Sequence, residues 1–290
     1  MNLLELKTFI SVIEEKGITA ASKRLNVTQP AISKRLDNLK YTFGIKELFY
    51  RKSGELIISE DAKALIPYAK NIIALMENAQ NEINQITSGQ KGKISIGSGA
   101  GWITGNLPIA IAKTIENYPD LKVDFNVDTP DLQLEKLIDN KIDILFARKP
   151  ENLDYFDYKP LRYDRYIIIA SNKHPLTKKV SKLKDLIKYN FAIATTSQLT
   201  EDLFFNCFTS QNLEKPKISI YTNSLRMGLN CLYESSLLLF TQANIFESYN
   251  DPHLNILNVD DFNITRETGV ITRKGYKSLF FNQLIKNLKI

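Results

Sequence analysis

The sequence predicts an α+β protein built in three segments, and three observations carry that reading. Near the N-terminus, apolar residues recur at helical spacing beside a concentration of basic side chains. Over 62–86 one apolar stripe repeats every three and four residues, and beyond residue 92 β-prone runs alternate with amphipathic ones. At 290 residues and 43% hydrophobic content the chain is long for one domain and can bury a sizeable core, so two domains are expected. No stretch approaches ~18 uncharged apolar residues, and the start MNLLELKTFI lacks a signal-peptide pattern. Two cysteines, 24 residues apart, and two histidines make neither a disulfide framework nor a metal site. A cytoplasmic protein without metal or resident cofactor is expected.

The first segment covers 1–59. Leu6, Phe9, Ile10 and Ile13 share one helical face, Gly17 is read as the end of that helix, and Thr19 as the cap of a short second helix with Ala20, Ala21 and Leu25. A third helix follows the turn at Asn26 and Val27. Thr28 can cap it, Pro30 suits its first turn, and Ile32, Leu36, Leu39 and Phe43 form the side to be buried. Gln29, Ser33, Lys34 and Asp37 fall on the other side. An amide, a hydroxyl and a cation near a helix N-terminus suit phosphates and base edges. Two short helices joined by a tight turn form a helix-turn-helix, and KELFYRKSGELIIS, turning at Ser53 and Gly54, reads as a hairpin that would serve as a wing carrying Arg51 and Lys52. Residues 20–52 hold eight basic residues and two acids, so the net charge of +6 resides there and the remainder is near neutral. A polyanion site accounts for this; a solvated basic face would show the same charge.

The second segment, 60–88, carries Ala62, Leu65, Ala69, Ile72, Met76, Ala79, Ile83 and Ile86 in alternating steps of three and four, a heptad seam. One helix cannot bury such a stripe alone. A contact between protomers is the preferred reading, with Leu65, Ala69, Ile72, Met76, Ala79 and Ile83 at its centre; an amphipathic helix on its own domain is the alternative. Pro67 is expected to bend the helix early.

Ser88 to Gly92 forms a joint to the third segment, 92–290. Strands are predicted at 93–97, 121–127, 143–147, 166–170, 191–195, 217–222 and 237–240, with helices at 106–117, 131–139, 182–188, 199–212, 224–233 and 276–288. The alternation predicts an α/β domain with mostly parallel strands, a class that binds ligands at the carboxyl ends of its strands.

With these elements in this order, the chain resembles a LysR-type transcriptional regulator over its full length. AASKRLNVTQPAISKRLDNLKYTFGIKELFYR at 20–51, followed by LIISEDAK, is the most specific match. The resemblance implies a winged helix-turn-helix in which Gln29, Pro30, Ser33 and Lys34 read the major groove and Thr28, Arg51 and Lys52 hold the DNA backbone or minor groove. It implies a C-terminal sensor similar to a periplasmic solute-binding protein, with one subdomain of 92–161 plus 266–290 and another of 162–265. It also implies promoter DNA as partner, RNA polymerase as a further candidate, dimers or tetramers, and a small-molecule co-inducer in the cleft. Loops placed there are Ser98, Gly99, Ala100, Trp102, Thr129, Ala147 and Arg148 from the first subdomain and Thr195, Thr196, Ser197 and Asn223 from the second. Ser98, Thr129 and Thr196 precede helices, so capping and ligand contact are both open. Arg148 is read as a carboxylate anchor, with an ordinary surface arginine as the alternative. Glu234-Ser235-Ser236 stands where many relatives have a glycine-rich turn, which puts the rim of the second subdomain in question.

Three rivals remain. GSGAG at 97–101 invites a nucleotide-binding enzyme, but the dinucleotide fingerprint needs GxGxxG and an acid further on. A nonspecific chromosome-binding protein would need no large ligand domain. Cys207 and Cys231 raise redox sensing, although both stand among apolar neighbours where thiols are unreactive.

Overall fold

The computed structural model describes residues 2–52, 55–87, 92–195 and 197–288; within the long helix the side chains of 78, 81, 82 and 84–87 are also outside the description. The turn at Ser53 and Gly54, the joint at 88–91, the side chain of Ile86, and Thr196 therefore lie outside the described residues.

Three helices, α1 (Leu3–Glu14), α2 (Ile18–Arg24) and α3 (Gln29–Phe43), form the N-terminal domain with a hairpin of β1 (Phe49–Lys52) and β2 (Glu55–Ile58). Leu6, Phe9, Val12, Ala21, Ile32, Leu36 and Leu39 make its core. Two local assignments are corrected. Lys16, not Gly17, takes the left-handed conformation after α1 (φ 54°), and Gly17 is the N-cap of α2, inside which Thr19 lies. Phe43 is 43% exposed, because α3 ends there at Gly44 and its last turn projects past the core.

The long helix α4 (Glu60–Thr87) runs unbroken through Pro67. Its apolar stripe divides. Ala62, Leu65 and Ala69 are buried in the N-terminal core against α1, so these seam positions belong to the helix's own domain. Ile72, Met76 and Ile83 are exposed at 36%, 56% and 55%, as is Ala79. The same helix ties the two domains together: Glu77 accepts from Lys7 Nζ at 3.0 Å and Asn140 Nδ2 at 2.9 Å, and Lys70 pairs with Asp139.

The rest is one nine-stranded sheet, order β4-β3-β5-β11-β6-β9-β7-β8 with β10 on β6. In chain order the elements are β3 (Gly92–Ser98), α5 (Asn106–Asn117), β4 (Leu121–Val127), α6 (Pro130–Ile138), β5 (Ile144–Arg148), β6 (Phe156–Ser171), α7 (Leu183–Leu186), β7 (Phe191–Ala194), α8 (Gln198–Thr209), β8 (Ile218–Thr222), α9 (Leu225–Leu232), β9 (Leu238–Gln242), α10 (Ala243–Glu247), β10 (Leu254–Ile256), β11 (Thr265–Arg273) and α11 (Leu279–Asn287). Parallel pairing holds within the triplets β4-β3-β5 and β8-β7-β9. The expectation of mostly parallel strands fails between them, where β11 and β6 run antiparallel and join the two halves. A strand placed at 166–170 is the second half of the 16-residue β6, while β10, β11 and α10 went unpredicted. The 161/162 division falls inside β6, so the halves share continuous strands. At the bulge between Thr268 and Gly269 the backbone of β6 comes so close that a Cβ on Gly269 would lie 2.1 Å from Lys159 O.

Candidate functional site

Two surfaces bring the predicted residues together. The first is α3. Thr28 accepts the amide of Ala31 at 3.4 Å and sets the start of the helix, and Pro30 occupies its first turn. With Ile32, Leu36 and Leu39 turned inward, Gln29, Pro30, Ser33 and Lys34 are left exposed. Arg51 and Lys52 are exposed on β1. Not every nearby cation is available: Arg24 is held by Glu14 at 2.6 Å and Glu15 at 2.9 Å, Lys40 by Asp37 at 2.8 Å, and Arg35 donates to Thr8 Oγ1 at 3.2 Å. Among the described residues no carboxylate pairs with Lys34, Arg51 or Lys52. Unpaired cations beside exposed amide and hydroxyl groups suit a phosphate backbone and base edges.

The second is a cavity of about 250 Å³ between the halves of the sheet. It opens at the carboxyl ends of the parallel strands, where backbone amides of following helices converge. Gly99, Ala100 and Trp102 reach it after β3, Thr129 after β4, Arg148 from the end of β5, Thr195 after β7 and Asn223 after β8. Sequence reasoning missed the lining supplied by the crossing strands and by β9 to α10: Asp164, Tyr166, Arg266, Thr268, Gln242 and Ile245. The β-prone GVIT of β11 was the available signal.

Several expectations change. Ser98 does not line the cavity; it is fully buried and Gly99 caps the short 3₁₀ turn that follows. Thr129 caps α6, accepting the amide of Leu132 at 3.5 Å, and also faces the cavity, so capping does not withdraw it from the cleft. Trp102 is 2% exposed and forms part of the wall, its Nε1 donating to Thr268 Oγ1 at 2.9 Å and the Arg162 guanidinium lying 3.9 Å from its ring centre. Arg148 is engaged by Asp131 at 2.6 Å rather than free. Two glycines of GSGAG serve packing: a Cβ on Gly97 would meet Gln133 and Ile142, and one on Gly101 would meet Gln242 and Asp164. Glu234 to Ser236 precede β9, at the end of that strand away from the cavity, so the cleft rim does not depend on them.

Burial raises the Asp164 carboxyl against the opposing pull of Arg162, which binds it at 2.9 Å. The Thr129 amide, and after it Lys136, holds Asp128 below the usual carboxylate range. Burial lowers Arg266 and the neighbouring Arg148 charge adds to that, while Tyr166 and Asp164 pull the other way. The cysteines offer no redox pair: Cys207 is on α8 and Cys231 on α9, helices packed on opposite faces of the sheet, and burial pushes the Cys207 thiol up.

Residues 3–63 match the family model described as "Bacterial regulatory helix-turn-helix protein, lysR family", and residues 87–289 match "LysR substrate binding domain". The chain is 25% identical to a probable RuBisCO transcriptional regulator of Thalassiosira pseudonana, covering 99% of this chain and 98% of that one. It is 26% identical to the HTH-type transcriptional regulator CysL of Bacillus subtilis, over 92% and 89% of the two chains. Its fold superposes on that of full-length CbnR solved with its target DNA at a TM-score of 0.60, with 19% identity and 99% of each chain covered.

Proposed function

The chain belongs to the LysR family of bacterial transcriptional regulators, a DNA-binding protein with an effector-binding domain, and from that premise we propose how its own residues divide the work. Gln29, Pro30, Ser33 and Lys34 read base edges in the major groove, while Thr28, Arg51 and Lys52 hold the backbone. Protomers associate through the outer part of the α4 stripe, so that two reading helices meet two half-sites. A small molecule binds between the halves of the C-terminal sheet, contacting Trp102, Thr129, Thr195 and Asn223. The protein acts by equilibrium binding rather than turnover, in the cytoplasm, and needs no resident cofactor.

The observation that supports the sensor reading is the cavity itself. Its walls come from both parallel triplets and from the two strands that join them, so a ligand there touches every part whose relative position could change. A ligand shifts such an equilibrium only by its differential affinity for two arrangements, and a site shared by two halves supplies that difference. Mapping the chain's binding sites on its source genome identifies the regulated genes, whose chemistry suggests effectors to test. The true effector should change the emission of Trp102, the one tryptophan, saturably and alter operator affinity over the same concentration range. An effector that alters operator affinity with no change in Trp102 emission, and acts equally on Thr129→Val, would place sensing elsewhere.

A further inference from the structure

The charges lining the cleft do not balance. Asp128 is paired with Lys136 at 3.1 Å, Asp164 with Arg162 at 2.9 Å, and Arg148 with Asp131 at 2.6 Å. Arg266 remains. It is half-buried, and its guanidinium donates to two neutral oxygens, Thr200 Oγ1 and Leu199 O, each at 3.0 Å. Among the described residues no carboxylate forms an ion pair with it. Asp164 attracts it from beyond ion-pair distance but is already bound by Arg162, so the half-buried guanidinium has no carboxylate of its own, and hydrogen bonds to neutral acceptors offset only part of the cost of burying it.

Its surroundings are those of an anion site. Thr200 and Leu199 belong to the first turn of α8, a 12-residue helix, so Arg266 stands at that helix's positive end. The N-cap residue Ser197 is 6% exposed, lines the cavity, and its Oγ has no hydrogen-bond partner among the described residues. Arg148 stands near enough to repel Arg266, and its own Nε is buried with no partner among the described residues. Beside these groups the wall is apolar, with Tyr166 and Phe240 stacked at 5.2 Å between ring centres.

We infer that the effector is a small organic anion, with a carboxylate or similar oxyanion held by Arg266 and the Ser197 hydroxyl and an apolar body lying against Tyr166 and Phe240. This rests on the reading of the cleft as the effector site and narrows it to a chemical class. The anion supplies the charge that the cleft lacks, and a planar two-oxygen group matches the guanidinium fork. The volume of about 250 Å³ limits the ligand to metabolite size.

The test uses the full chain and two matched probe series: acetate, benzoate and phenylacetate against acetamide, benzamide and phenylacetamide. Melting temperature and Trp102 emission are recorded for the wild type, Arg266→Gln and Arg266→Lys. The two larger carboxylates should shift both signals saturably while their amides do not. Arg266→Gln should weaken the response about tenfold or more, as expected for loss of a charged hydrogen-bond partner, and Arg266→Lys should fall between. A cooperative melt for both variants separates lost binding from lost folding. Equal responses of wild type and Arg266→Gln, amides binding as well as carboxylates, or no response to any carboxylate would each overturn the inference. Amides that shift Trp102 emission where carboxylates do not would still leave the cleft as the sensing site.

Discussion

Leu65→Ala and the pair Ile72→Asp with Met76→Asp alter the same apolar stripe of α4 and should have different consequences. Leu65 is 6% exposed within a core that includes Leu6, Phe9 and Ala69. Truncating it removes buried methyl groups and leaves a cavity, a change that costs about 2–5 kcal/mol. That is a large part of a domain stability of about 5–15 kcal/mol. Ile72 and Met76 are 36% and 56% exposed in the single protomer, so carboxylates there alter its stability by only ~0.5 kcal/mol. In a two-fold contact each substitution occurs twice, placing four carboxylates in the seam. At about 1–3 kcal/mol for each uncompensated polar group, the contact loses about 4–12 kcal/mol, a thousandfold or more in dissociation constant. Sedimentation equilibrium over a range of concentrations, with thermal melts of the same samples, distinguishes the cases. Leu65→Ala should melt earlier at every protein concentration, whereas the aspartate pair should sediment as a monomer with a near-normal melt of the C-terminal domain. An aspartate pair that dimerises with wild-type affinity would refute the assignment of the outer stripe to the protomer contact.

Gln29→Ala should relax preference at particular base positions at a cost of about 1–3 kcal/mol, whereas Arg51→Ala should weaken all sequences alike and flatten the salt dependence by about one unit of slope; competition binding to operator variants at several salt concentrations reads both. Arg273 is 3% exposed and donates to Leu137 O at 2.9 Å and Ile142 O at 2.6 Å, with Asp143 at 3.4 Å, so Arg273→Met should destabilise the C-terminal domain in urea by about 3–5 kcal/mol. Burial pushes His174 below the ordinary histidine value, and its Nδ1 accepts the amide of Leu176 at 3.2 Å. The unfolded chain therefore takes up this proton more readily. The stability contribution is full above about pH 6.5 and is lost as pH falls from there toward the depressed folded value. His174→Asn, which keeps an acceptor for that amide, should remove this part of the acid sensitivity in melts recorded over that range.

The sequence by itself determined what depends on near neighbours. The Thr28 cap, the proline after Gln29 and the spacing of Ile32, Leu36 and Leu39 specify α3 and its outward polar face, since capping and helical period act within a few residues. The strands of both parallel triplets were legible for the same reason, and so were the helices after β3, β4, β7 and β8 and the loops that lead into them, although α10 after β9 was not. Tertiary structure decided what depends on distant partners. Whether Leu65 faces α1 or another protomer cannot be read from its period, because both readings need the same stripe. Trp102 is buried because Thr268, 166 residues away, accepts its indole N–H. Arg148 and Arg266 look alike as basic residues beside strands, yet one is ion-paired with Asp131 and the other donates to neutral oxygens. Charge balance in a cleft is a sum over groups brought together by the crossing of β6 and β11, and long-range pairing of that kind has no local signature in the chain.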